Sequence, residues 1–367
     1  NSAVAITLKS TADVTGASAS IVDGDGDAVV TINTGALISG AISLGNGNDT
    51  LTIADGVSLD NVATLSGGSE SGSTDTLNIS TSFAGALTDW EVIYVNGNLG
   101  NAALTMAAGT KLGGSGTLGG DITVLDGATL APGNSPGTLT LGSLNLANAS
   151  ILEFELGAAG TPGGALNDLV IVNGNLVLDG VLNVSQSAGG DFSTGIYQLY
   201  QYGGTLTDNT LEFGSALPNG HSGIVQAGLV AGQVNLIVTG TPSSVLYWDN
   251  DAGIANGLLS GGSGTWDASS ANWAGGVGSI LNTNWQSTVG VFLGTAGTVS
   301  IDGAQAFEIL QFAVDGYTLN SGTAGSLTTA GTGVLFVDTG ANATINAPIT
   351  GTGALTKQGA GTLTLGG

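Results

Sequence analysis

Cysteine and arginine are both absent from this chain of 367 residues, and lysine occurs only three times, at Lys9, Lys111 and Lys357. Without cysteine there is no disulfide framework and no thiolate chemistry. The three lysines face 27 acidic residues, for a formal charge of −24. Lys and Arg contacts to phosphate supply most nucleic-acid affinity, so nucleic acids and anionic membrane surfaces are excluded as electrostatic partners. Aromatics are scarce at 5%, and no run of eighteen apolar residues could cross a membrane as a helix. No segment of ten residues carries a convincing 3.6-residue apolar period, which leaves almost no helix.

What is present is glycine, 65 residues of it, with 42% apolar residues drawn mainly from Val, Ile, Leu and Ala. That apolar content is too high for a disordered acidic tail, and the strict glycine period of collagen is missing. The mixture with Thr, Ser and Asn is the vocabulary of short strands joined by tight turns. One design recurs: a turn rich in Gly, Asn and Asp, then an alternating strand. GDGDAVVTI (24–32), GNGNDTLTI (45–53) and GSTDTLNI (72–79) are early copies. GGDITVLDGATL (119–130), GTLTLGSLNL (137–146), NGNLVLDGVLNV (173–184) and AGQVNLIV (231–238) are later ones. A period of 20 to 30 residues is a solenoid signature. With no helical stretch for crossovers, the expected fold is all-β: an elongated, right-handed parallel β-helix, with Val, Ile and Leu stacked inward and Thr, Ser, Asn and Asp outward. At about 23 residues per coil and roughly 4.8 Å per coil, on the order of sixteen coils would make a rod about 75 Å long. Composition changes suggest irregular coils over 1–100, regular coils over 101–240, and a Trp-rich segment over 241–367 that starts after TGTPSSV (239–245). The chain begins at Asn1 without a leader pattern and stops in mid-pattern at GTLTLGG, so it reads as part of a larger polypeptide.

Several candidate sites follow from the residues. Gly133-Asn134-Ser135-Pro136-Gly137 formally matches G-x-S-x-G. The nucleophile elbow needs the N–H after its serine and a following helix; Pro136 has no N–H and a strand pattern follows, so a rigid turn is expected. His221, the only histidine, lies in LPNGHSG, is read as a surface-loop residue, and cannot by itself complete a zinc site. Glu153 and Glu155 in ILEFEL share one strand face about 7 Å apart. That spacing could serve glycoside hydrolysis, although Leu152, Phe154 and Leu156 make them an outward, solvated pair. Trp248, Trp266, Trp273 and Trp285 fall within 38 residues; packing is the favoured role, with stacking on glycans as the functional alternative. In DGDGD, the sixth and twelfth EF-hand positions are Ala28 and Thr34, which removes an EF-hand. Asp27, Asp49 and Asp75 are 22 and 26 apart, so with Asp23 and Asp25 they are expected at one corner of successive coils, where calcium could bind weakly. No other cofactor is expected.

Three stretches carry a resemblance to a known family. GSGTLGGDITVLDGATLAPGNSPGTLTLGSLNLANASILEFELG (114–157), with NDLVIVNGNLVLDGVLNV after it, resembles the passenger domains of bacterial autotransporters. YWDNDAG (247–253), GTWDASSANW (264–273), NTNWQSTVGVFLGTAGTVSIDG (282–303) and GYTLNSG look like the autotransporter-associated β-strand repeat. ITGTGALTKQGAGTLTLGG (349–367) does so too, stopping short of the repeat's usual N-T-Y-x-G. Residues 1–84 share only the style. The resemblance implies a right-handed β-helix displayed at, or released from, the surface of a Gram-negative bacterium by a C-terminal β-barrel that this sequence does not contain. It also implies a non-catalytic, adhesin-like role in attachment, aggregation or biofilm formation, through contacts with surface glycans or proteins or with other copies. A self-assembling surface layer or fibre subunit and a polysaccharide-acting enzyme are the alternatives; pectate-lyase-type elimination would, by resemblance, need an arginine base.

Overall fold

The computed structural model describes residues 4–101, 103–251, 256–278 and 281–366. Ala252 and Gly253 of the YWDNDAG phrase, and the last Gly367, lie outside the described residues. The chain makes about sixteen turns of parallel β-solenoid, divided into two compact units. Among the described residues the only helical piece is the 3-10 turn Pro218–Gly220.

The first unit holds residues 1–156, 163–187 and 199–215. Its longest sheet has ten strands, beginning Val4–Leu8, Ala28–Ile32, Thr50–Ile53, Thr76–Ile79, Val92–Val95, Lys111–Gly114, Thr129–Pro132 and Ile151–Ala158. The register is parallel and keeps like on like. Val30 pairs with Leu51, then Leu77, Ile93, Leu112, Leu130 and Leu152, and all seven are buried. Two residues further on, Ile32, Ile53, Ile79 and Val95 form a second inward column. The period-2 alternation of TLTI and TLNI therefore does what such alternation should: one face is covered by the neighbouring coil's aliphatic side chains and the other is wetted. Each buried aliphatic side chain contributes roughly 1.5–3 kcal/mol relative to exposure. Asp13–Val22, Leu37–Ser43, Thr64–Ser66 and Ala86–Thr88 close another side of the coils.

The second unit holds residues 157–162, 188–198 and 216–367. A sheet of Val245–Trp248, Val289–Phe292, Ala304–Phe312, Ser326–Val337, Ile349–Gly351 and Leu355–Gln358 faces a second one of Gly264–Trp266, Thr298–Ile301, Tyr317–Ser321, Asn342–Ile345 and Thr362–Leu365. Aromatic and aliphatic side chains fill the space between them. The unit also departs from the parallel expectation. Ser222–Ala227 pairs antiparallel with Gln233–Thr239, Ile224 opposite Ile237. Only residues 228–232 join these strands, too few to carry the chain round a coil, whereas a hairpin closes over such a length. Ile224 and Ile237 belong to a separate apolar cluster with Val245, Tyr247, Val289, Val291, Ile309 and Phe336 on the outer side of the sheet.

Candidate functional site

The tryptophans come together in the second unit. Trp248, Trp266 and Trp273 are fully buried. Trp266 stands edge-on to Trp273 at 5.0 Å between centroids, Trp248 meets Trp273 at 5.3 Å, and Trp285 closes on Trp273 at 4.5 Å. Phe292 extends the cluster by stacking on Phe312 at 5.0 Å. Such edge and offset contacts match the ring quadrupoles. Trp248 Nε1 donates to Gly262 O at 2.8 Å, and Trp285 Nε1 donates to Ala306 O at 3.0 Å. Glycan stacking is thereby corrected for Trp248, Trp266 and Trp273, because a ring with no exposed face cannot meet a sugar. Trp285 alone is only partly buried. The cluster is the packing centre of its unit.

Around Ser135 the chain makes a turn and runs straight into strand Thr138–Leu146. Ser135 adopts φ +66°, and no helix follows, so no elbow exists. Asp168 anchors this turn. One of its oxygens accepts the Gly137 N–H at 2.8 Å and the other accepts the Glu155 N–H at 2.7 Å. Burial, opposed by these two bonds and reinforced by nearby Glu155, pushes its carboxyl up to about 7. The turn borders a cleft of about 680 Å³ lined in part by Tyr94, Lys111, Asn134, Glu153, Glu155 and Asp168. Glu153 and Glu155 do face outward, over a buried Leu152, Phe154 and Leu156. Lys111 Nζ lies 2.8 Å from Glu153 Oε2, so one carboxylate of the pair is occupied by a cation. With Glu153 held by Lys111, the cleft offers polar contacts to a ligand through residues such as Asn134 and Glu155.

His221 is not a free loop residue. It is half-buried, its Nδ1 lies 3.3 Å from Thr239 O, and its ring meets Phe192 edge-on at 5.8 Å. Close by in chain terms, the hairpin carries a polar ring with no signal in the sequence pattern. Gln226 Nε2 donates to Gln311 Oε1 at 3.2 Å, and Gln311 Nε2 donates to Asp338 Oδ2 at 2.8 Å. Gln233 Nε2 donates to Asp338 Oδ1 at 3.5 Å, and Asn235 Nδ2 donates to both Gln233 Oε1 and Gln226 Oε1 at 3.1 Å. Burial raises the Asp338 carboxyl, against the two glutamine bonds. A closed circuit of this kind satisfies buried amides and fixes the hairpin on its sheet.

The aspartates of the first unit separate into two groups. Asp25 and Asp27 are exposed turn residues. Asp25 Oδ1 accepts from Asn46 Nδ2 at 2.7 Å and Asp27 Oδ1 from the Asn48 N–H at 2.8 Å. Asp49 and Asp75 are fully buried and point inward. The expected stacking of Asp27 on Asp49 is corrected by one residue: Val29 pairs with Thr50, which puts Ala28 beside Asp49. The signal was available, since Ala28, Asp49 and Asp75 each stand four residues before Ile32, Ile53 and Ile79. The Ala28 N–H donates to Asp49 Oδ1 at 2.7 Å, the Asp49 N–H to Asp75 Oδ1 at 2.8 Å, and the Asp75 N–H to Glu91 Oε2 at 2.8 Å. Burial raises Asp75 to about 6 against its backbone bond, with Glu91, Asp49 and Glu70 adding repulsion. Asp49 is raised in the same way, with Glu70, Asp23 and Asp27 adding. Glu70, in the loop before Asp75, accepts the Gly47 N–H; no motif singled it out.

Coils stacked in parallel register, an aliphatic column inside and polar turns outside make a β-solenoid of the kind the resemblance to autotransporter passengers implies. No family model matches the chain. Over 266 residues it is 44% identical to the Adhesin BmaC autotransporter of Brucella suis biovar 1 (strain 1330). The aligned part is 67% of this chain, and the chain spans about 7% of that relative's length. The chain is homologous to a segment of an autotransporter adhesin.

Proposed function

We propose that the chain is a stretch of the surface-displayed passenger of a Gram-negative autotransporter, adhesin-like and without catalysis of its own. The 44% identity to an autotransporter named as an adhesin is the observation that carries this reading. The solenoid supports it, because each coil adds another set of outward Thr, Ser, Asn and Asp side chains to the same faces, and weak polar contacts repeated along a surface add up through multivalency. The partners are surface glycans or proteins, or further copies of the same passenger. The cleft of about 680 Å³ beside Tyr94, Asn134 and Glu155 is a concave place for such a contact. The test is attachment: beads coated with this chain, mixed with host-cell monolayers and with one another, adhere or cluster more than beads coated with a non-adhesive protein of equal charge. Equal attachment in both assays overturns the proposal.

A further inference from the structure

The cleft beside Ser135 lies on the outer face of the first unit's longest sheet, and strand register sets its walls. On that face Asn78 pairs with Tyr94, Tyr94 with Gly113, and Gly113 with Ala131. Glu153 follows one coil on, just past the Leu130–Leu152 pair. Two small residues in succession between a tyrosine and a glutamate make a trough in the outward column. The Tyr94 ring occupies the space that a side chain on Gly113 would fill, since a Cβ there would be 3.0 Å from both its Cδ1 and its Cε1. That ring is half-buried and borders the cleft, so it sets an apolar surface beside polar groups. Asn134 forms the lip: its Nδ2 donates to Asn96 Oδ1 at 2.6 Å and to Ser115 Oγ at 3.5 Å, which fixes the amide across successive turns.

The volume of about 680 Å³ falls within the range of small-molecule sites, about 300–1,000 Å³. The lining suits a sugar, whose C–H face packs on an aromatic ring and whose hydroxyls both donate and accept, so that amides, carboxylates and an ammonium group can all be used. Charge selects among sugars. The Lys111 ammonium is already matched by Glu153 at 2.8 Å, Glu155 and Asp168 also line the cleft, and the chain as a whole carries −24. A sialylated, uronate-bearing or sulfated glycan would be repelled. An extended peptide is poorly matched as well: Val92–Val95, Lys111–Gly114 and Thr129–Pro132 are each paired on both sides and leave no free edge for another strand.

We propose that this cleft binds an uncharged oligosaccharide, with one sugar ring stacked on Tyr94 and its hydroxyls bonded to Asn134, Glu155 and the Lys111–Glu153 pair. The proposal deepens the adhesin reading, on which it rests for the source of the glycan, a neighbouring cell surface. With a single aromatic ring the site is weak taken alone, and many displayed copies make attachment firm. Gly113 and Ala131 set the specificity: a larger residue at Gly113 displaces the tyrosine, and one at Ala131 fills the trough.

The test is binding of the whole labelled chain to an array of neutral, sialylated and sulfated oligosaccharides, followed by titration with the best-bound neutral oligosaccharide free in solution. The expected result is binding to neutral oligosaccharides, with sialylated and sulfated forms of the same core bound at least tenfold more weakly. Tyr94→Ala and Ala131→Gln each lower the affinity at least tenfold. Ala131→Gln removes no contact and leaves the melting temperature in place, so it reads occupancy of the trough even where Tyr94→Ala loosens the fold. Absence of binding to every neutral oligosaccharide, a preference for the anionic ones, or binding untouched by both variants overturns the proposal. The two readings fail separately. Coated beads that adhere through a chain binding no neutral oligosaccharide overturn this proposal alone, whereas binding in the cleft by a chain whose beads stay unattached upholds it and overturns the adhesin reading.

Discussion

At the scale of single residues, chemistry is concentrated in a few buried carboxyls, and Asp168 is the clearest. Its ordinary value of 3.8 is raised to about 7, so between those two values the folded chain holds a proton that the unfolded chain has released. Stability from this group is complete below pH 4 and is lost as the pH rises through 7. The melting temperature should therefore fall between pH 5 and pH 8, and Asp168→Asn should flatten that slope, with Glu155 as the facing charge in both proteins. The same substitution removes an acceptor from either the Gly137 or the Glu155 N–H and should lower stability by about 1–3 kcal/mol at pH 5. Calorimetric scans across this range decide the matter; an unchanged slope in the variant would assign the dependence to other groups. The sequence showed Asp168 only as part of NDLV, because its role depends on a turn 31 residues earlier reaching it.

At the scale of elements, strand alternation was the most legible feature. Val30, Leu51 and Leu77 could be stacked by eye because repetition of the same pattern makes register a matter of counting. The acidic corner was read one residue out because the glycine turns were matched by appearance, whereas the strands fix the register from the isoleucine end. Glu70 and the amide circuit around Asp338 were illegible for a different reason: they join segments distant in sequence, and no local period marks them. Glycines between coils are a further element-scale feature. Gly114 sits at φ +102°, where an added Cβ would be 2.1 Å from Val95 O in the previous coil. Gly109, at φ +83°, has nothing within 4 Å of the same atom. Gly109→Ala should cost about 1 kcal/mol from backbone strain alone, and Gly114→Ala clearly more, since the neighbouring coil must move. Urea midpoints of the two variants check this; equal midpoints would mean that the coils are not in such close contact.

At the scale of the whole molecule, the charge of −24 against three lysines governs behaviour in solution. At neutral pH the copies repel one another, and the repulsion vanishes as the pH approaches the isoelectric point near 4.1. Light scattering at fixed concentration should rise on acidification from pH 7 towards 4 and fall again on return to neutrality; a constant mass over that range would show that something other than charge keeps the copies apart.

The chain of carboxylate-to-amide bonds through Ala28, Asp49, Asp75 and Glu91 has a sense of direction. Each buried amide is satisfied by an acid that lies later in the sequence, so a coil at this corner is finished only when its successor has been laid down. The corner works like a row of latches in which every catch is mounted on the next door along. Opening one coil leaves the preceding one with an unanswered N–H, and for this reason neighbouring coils here should exchange their protected amides together.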